Sequence, residues 1–281
     1  MELLALDFDG VISDSAPEAW LVTLRTYAAL RPVEAIAGLL ARAEGQSPDE
    51  IRVDAAYRRF VAMMPLGNRA EDFAVALSLV AGDRDAPDQA AFDRVFAAEP
   101  GEFLRSFHER FYHVRTALRE GDPERWVSLI GPYPEFLATV RRCAQAVRLA
   151  IATAKDRASV EQLLERYGIA DLFAPETLLD KDAGRSKRGH LERLHARLGV
   201  PYPEIVFVDD KVNHLDDVSG MGVRGVLAAW GYNGERERRQ ARERGYIVCT
   251  LDDFERVLFG GQRGDAGLDS VSRPPRSGRT S

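Results

Sequence analysis

Short runs of apolar residues alternate with amphipathic stretches along much of this chain. The runs lie at 3–8 (LLALDF), 147–154 (VRLAIATA), 204–210 (EIVFVDD), 223–229 (VRGVLAA) and 246–250 (YIVCT). Each is close to continuously apolar and bounded by polar or turn residues, which predicts strands covered on both faces. Between them, residues 134–145, 157–168, 187–199 and 235–245 carry polar and apolar positions at helical spacing. Strands alternating with helices predict an α/β fold, a parallel sheet with helices on both sides.

Residues 16–130 break this rhythm. Helical patterns recur at 17–30, 49–64, 68–81 and 102–118, and no strand stands out among them. The stretch is too long for a loop and predicts an inserted all-helical domain. Gly131, Pro132 and Pro134 mark the return to the core. The expected organisation is a core from 1–15 and 131–259, a helical insertion at 16–130, and a tail at 260–281. The tail is rich in Gly, Ser, Pro and Arg, cannot bury enough apolar surface to order itself, and is expected to be disordered.

Composition narrows the function classes. At 281 residues the chain can bury a large core. A formal charge of −6 argues against a nucleic-acid partner. No apolar run is long enough to span a membrane, and the first strand follows Met1 too closely for a signal peptide. A cytoplasmic monomer or homodimer acting on a small molecule is expected. The two cysteines, Cys143 and Cys249, sit in apolar contexts and read as buried thiols, with no zinc-site spacing.

Ligands of an open α/β sheet bind beyond the carboxyl ends of its strands. The first strand ends at Asp7 and Asp9; the second at Thr153, followed by Lys155 and Asp156; the third at Asp209 and Asp210. Lys187 opens the helix before that third strand, with Lys181 in the same loop. Clustered carboxylates at a buried sheet edge are costly without a compensating charge. Carboxylates that hold a hard cation, with Thr and Lys to hold an anion, make a site for magnesium and a phosphate group.

These motifs, in this order, resemble the haloacid dehalogenase-like hydrolase superfamily, in particular its phosphoglycolate phosphatase-like branch with a helical cap. Asp7-Phe8-Asp9-Gly10-Val11 resembles the family's first motif, with Asp14-Ser15 as in that branch. Thr153-Ala154-Lys155 resembles the second, Lys187 the third, and Val206-Phe207-Val208-Asp209-Asp210 the fourth. The resemblance implies a Rossmann-like core with an inserted cap, here longer than usual. It also implies Asp7 as nucleophile, Asp9 as acid and base, and Thr153 and Lys187 on the phosphate. Mg2+ would be held by Asp7, Asp9 through its backbone carbonyl, and Asp209 or Asp210. Asp9 points to phosphoryl transfer, because the family's dehalogenases lack a carboxylate there.

The commoner fourth motif is Gly-Asp with another Asp four positions later. Here Asp209 stands first, and Asn213 and His214 occupy the later positions, while Asp216 and Asp217 read as surface helix residues. Phosphate transfer to a sugar, as in a mutase, and a non-catalytic partner-binding scaffold are the alternative functions. Candidate substrate contacts in the insertion are Arg52, Arg58, Arg59, Asn68, Arg69, His108, Arg110, His113 and Arg115. The spacing of Phe103, Phe107 and Phe111 predicts a packed helix face.

Overall fold

β1 (Leu3–Leu6) is a central strand of a six-stranded, all-parallel sheet. The chain leaves it for β4 (Arg148–Ala152) and β5 (Leu178–Leu179) on one side. It then returns to the other side for β6 (Ile205–Asp209), β7 (Arg224–Ala228) and β8 (Ile247–Cys249), giving the order β5-β4-β1-β6-β7-β8. The winding direction therefore reverses between β1 and β6, whose register pairs Leu6 with Val208. A reversal of this kind opens a crevice at the carboxyl ends of the two strands, where Asp7 and Asp209 lie. The structure, a computed structural model, describes residues 1–67, 69–184 and 186–260. Of the tail expected to be disordered, 260–281, all but Gly260 lies outside the described residues, as does the candidate contact Asn68.

Side-chain alternation divides the core between the two faces of the sheet. Leu3, Ala5, Ala150 and Phe207 face α11 (Lys187–Leu198), α12 (Val212–Val218) and α13 (Glu235–Glu243). Leu4, Leu6, Ile151 and Val206 face α9 (Pro134–Cys143), α10 (Arg157–Arg166) and α14 (Phe254–Phe259).

The insertion is helical as expected. It holds α1 (Ala16–Leu30), α2 (Glu34–Gly45), α3 (Pro48–Val53), α4 (Ala55–Met63), α5 (Ala70–Ala81), α6 (Gln89–Ala98), α7 (Gly101–Gly121) and α8 (Pro123–Ser128). Its apolar centre, with Trp20, Phe60, Phe73 and Phe107, is continuous with the second sheet face. α1 is buried almost all round, as a helix apolar on every side must be. The outgoing and returning chains pair as a two-stranded antiparallel ribbon, β2 (Ser13–Asp14) with β3 (Gly131–Pro132). That ribbon and β5 escaped the hydropathy pattern because two-residue strands have no period to read.

Phe107 and Phe111 are buried and Phe103 partly so, as their spacing predicts. Both thiols are buried, and burial pushes Cys143 up to about 11 and Cys249 up to about 12. Thiols so disposed are inert. Among the described residues no helix is long and apolar enough to cross a membrane.

Candidate active site

β1 ends at Leu6, and the next residues turn sharply. Gly10 adopts φ +79, and Ile12 and Ser13 both donate backbone hydrogen bonds to the Phe8 carbonyl. This turn places Asp7 and Asp9 on one wall of a cavity of about 390 Å3. Thr153 follows β4, Asp210 follows β6, and Lys187 opens α11; all three line the same cavity. α7, ~30 Å long at 1.5 Å per residue, brings Arg115 and Arg119 to the same cavity. The residues singled out from the strand ends therefore converge, although they are scattered over some two hundred positions.

Lys187 is the electrostatic centre of the site. Its buried ammonium lies 2.9 Å from Asp7 Oδ1 and 3.1 Å from Asp209 Oδ2, and donates to the Ala152 carbonyl at 2.8 Å. Lys181, its rival in sequence, is exposed at the cavity edge. Asp209 is fully buried beneath the cavity. Besides Lys187, its carboxylate accepts from the Lys211 backbone N–H at 2.9 Å and meets His214 Nδ1 at 3.0 and 3.1 Å. Burial opposes the charge on Asp209, but Lys187 and His214 outweigh it and hold the group below the usual carboxylate range. Burial has the upper hand at Asp7, whose carboxyl is pushed up to about 7 despite Lys187, with Asp209 adding repulsion.

Asp210 is turned differently. It faces the cavity, and its Oδ2 accepts from the Tyr232 N–H at 2.8 Å. It is wedged between two glycines. A Cβ on Gly10 would lie 2.6 Å from Asp210 Cγ, and one on Gly231 would lie 2.4 Å from both Asp210 Cβ and the Gly10 carbonyl oxygen. Gly10 is thus required twice, by its left-handed backbone and by this close approach. Gly10→Ala is expected to cost ~2–3 kcal/mol from strain and crowding together. Urea denaturation of the variant and parent chains measures it.

Asp9 forms an ion pair with Lys155 Nζ at 3.0 Å. Burial opposes its charge, but Lys155 more than compensates and holds the carboxyl below its ordinary range. Thr153 is buried, with its hydroxyl accepting from the Lys155 N–H at 3.2 Å.

The residues suit a hard cation. Asp7, Asp209 and His214 have ligand atoms within 4.8 Å of one another. Of these, Asp209 and His214 are engaged with each other, Asp209 also pairs with Lys187, and Asp209 is sealed from the cavity. Asp7 and Asp210 both open onto it, as do Asp9, which is paired with Lys155, and Asp156, which is paired with Arg119. An oxygen donor set of this kind, with burial resisting ionisation of Asp7, fits a divalent cation.

Of the described insertion candidates only Arg115 lines the cavity. Arg52 pairs with Asp14 and Asp49, Arg59 with Asp83 and Asp85, Arg69 with Asp72, and His108 with Glu71. Arg58 donates to the Arg52 carbonyl, and Arg110 and His113 are exposed. Arg119, Lys211 and Tyr232 also line the cavity and were not singled out from sequence. Arg119 had a readable signal: it follows Arg115 by four residues and shares its helix face. Lys211 and Tyr232 had none, because their roles depend on contacts between distant segments. Lys211 Nζ donates to the Met64 and Tyr232 carbonyls, while the Tyr232 hydroxyl accepts from the Ser15 and Ala16 N–H groups and donates to Asp14.

A family model, haloacid dehalogenase-like hydrolase, matches residues 1–216. The chain belongs to the haloacid dehalogenase-like hydrolases. It is 30% identical over 104 residues to human magnesium-dependent phosphatase 1, a match covering 36% of this chain and 56% of that protein. It is 34% identical over 105 residues to tyrosine-protein kinase PtkA of Mycobacterium tuberculosis, covering 37% of this chain and 34% of that one. The chain thus spans about half and a third of the lengths of these curated relatives. Among solved structures it is similar to a "predicted phosphoglycolate phosphatase" from Haemophilus somnus 129PT. There the TM-score is 0.61 at 18% identity, over 92% of this chain and 97% of the other. A haloacid dehalogenase-like family protein from Streptococcus pneumoniae gives 0.55 at 12% identity, over 90% and 96%. Likeness at these identities shows the shared fold.

Proposed function

We propose that this hydrolase is a magnesium-dependent phosphatase that cleaves a small-molecule phosphomonoester through an aspartyl-phosphate on Asp7. The observation that carries the reading is the placement of Asp7 on the cavity wall, at the strand reversal, with Lys187 2.9 Å away and Thr153 and Asp9 around the same space. Asp7 and Asp210, with the Asp9 backbone carbonyl, would hold Mg2+, and Asp209 would support the site from beneath through Lys187 and His214. The bound cation would supply positive charge against the phosphate and ease ionisation of Asp7. The inserted helices would act as the cap over this site.

In this reading the Asp7 carboxylate attacks phosphorus, the bond to the ester oxygen breaks, and Asp9 gives that oxygen its proton. Asp9 then takes a proton from water, whose oxygen displaces Asp7 and releases inorganic phosphate. Lys187 and Thr153 bear on the phosphoryl oxygens, where charge is spread during transfer. Lys155 connects binding to proton transfer. While paired with Asp9 it keeps that carboxyl ionised, and a phosphate group that draws Lys155 away restores the proton affinity Asp9 needs.

The test is a panel of phosphorylated metabolites with magnesium and with EDTA. Magnesium-dependent phosphate release from at least one monoester is expected. A flat panel would overturn the reading, and isomerised product without phosphate release would instead mark a mutase.

Stability offers a second check. With its folded pKa near 7 against an ordinary 3.8, Asp7 takes up a proton on folding between those values. Its contribution to stability therefore falls as pH rises through that window, and above about 7 a magnesium ion no longer competes with the proton. Saturating magnesium is expected to raise the melting temperature more above pH 7 than well below it. Asp210→Asn should abolish the rise. Equal shifts at both pH values would contradict this assignment.

A further inference from the structure

We infer that the part of the substrate beyond its phosphate is uncharged, because each described Lys and Arg lining the cavity, apart from the solvent-exposed Lys181, is already matched by a built-in carboxylate. The inference rests on the phosphatase reading and narrows its substrate class.

The cationic look of the cavity is deceptive. Arg115 on α7 is bound through Nε and Nη2 to the two carboxylate oxygens of Glu18, both at 2.7 Å, and Glu18 on α1 is fully buried. Arg119 lies 3.0 Å from Asp156 Oδ1 and donates to the Ser159 hydroxyl at 2.8 Å. Lys155 is matched by Asp9, and Lys187 by Asp7 and Asp209. Lys211 lies 3.9 Å from Asp210 and gives hydrogen bonds to two carbonyls. Among the described residues that line the cavity, Lys181 is the one Lys or Arg without an ion pair, and it is exposed to solvent.

A phosphomonoester dianion and a divalent cation offset one another in such a site. A second anionic group, such as a carboxylate, would have to compete with a built-in carboxylate for each paired cation, the exposed Lys181 at the cavity edge being the one without a pair, and a charge taken from water without a matching partner is strongly disfavoured. The rest of the lining suits a neutral group. Phe73, Phe111 and Trp126 line the cavity with apolar rings, and Tyr112 and Thr116 add hydroxyls. A phosphorylated polyol or an aryl or alkyl monophosphate fits this chemistry, whereas a phosphorylated carboxylic acid does not.

The experiment compares matched pairs that differ by a carboxylate. Values of kcat/KM are measured with magnesium for phenyl phosphate against 4-carboxyphenyl phosphate, and for glycerol 1-phosphate against 3-phosphoglycerate. The neutral member is expected to be favoured at least ~10-fold. Calorimetric binding of the non-hydrolysable pair propylphosphonate and 3-phosphonopropionate should show the same order. Glu18→Gln leaves Arg115 without its matching charge and should move the ratio toward the acid. Because Glu18 is buried, Asp156→Asn, which frees Arg119, is the second variant. Parity, or preference for the acids, in the parent protein would overturn the inference while leaving the phosphatase reading intact. So would folded variants that leave the ratio unmoved. A complete lack of hydrolysis across these and all other monoesters would overturn the phosphatase reading itself.

Discussion

Asp7→Asn is expected to lower kcat by at least ~10⁴-fold, the scale seen when a covalent nucleophile is removed from a catalytic unit. The amide is nearly isosteric, so the turn that follows β1 should survive, including the hydrogen bond from the Phe8 N–H to Asp7 Oδ1 at 2.7 Å, which the amide oxygen can accept. Lys187 would keep its contacts with Asp209 and the Ala152 carbonyl. The variant should therefore fold and bind phosphorylated ligands, yet form no phosphoryl-enzyme. Rapid-quench labelling with a 32P monoester makes the distinction: label on the parent chain and none on the variant. A variant that retained magnesium-dependent turnover would sink the role of Asp7.

Lys187→Met should be the most damaging single change to the fold of the site. The ammonium is buried between two carboxylates, at 2.9 Å from one and 3.1 Å from the other. Removing it leaves two like charges close together under the cavity, with only His214 close by to answer Asp209. Breaking a buried ion pair from one side costs about 3–5 kcal/mol, well above the cost of a surface pair. The loss should appear in urea denaturation and should shrink at low pH, where Asp7 is protonated in the folded state. Lys181→Met, which removes an exposed ammonium at the cavity edge, is the contrasting variant and should change stability little. Equal losses in the two variants would count against Lys187 as the central cation.

Much of the core could be read from the chain because its signals are local. A strand buried on both faces must be apolar through its buried length, as Leu3–Leu6 of β1, Leu149–Ala152 of β4 and Ile205–Val208 of β6 are. The parallel order makes the carboxyl ends of those strands meet, so Asp7, Thr153 and Asp209 could be grouped from their positions alone. Lys187 was harder, since Lys181 occupies the same loop, and only its burial against Asp7 and Asp209 separates them. The insertion contacts were mostly unreadable. An arginine at helical spacing looks the same whether it pairs with a neighbouring acid, as Arg59 does, or reaches a cavity, as Arg115 does.

The family, the parallel core and the candidate site motif follow from this chain's linear pattern, since nearest-neighbour hydropathy and strand-end residues encode them. The division of labour between Asp209 and Asp210 does not. Adjacent residues leaving a strand point in opposite directions, so one is sealed against Lys187 while the other is wedged between Gly10 and Gly231. The same holds for the neutrality of the cavity wall. Arg115 and Glu18 are 97 positions apart, and only the packing of α7 against α1 brings their charges together. Electrostatic matching depends on distance in space and on exclusion of water, and neither is written in sequence order.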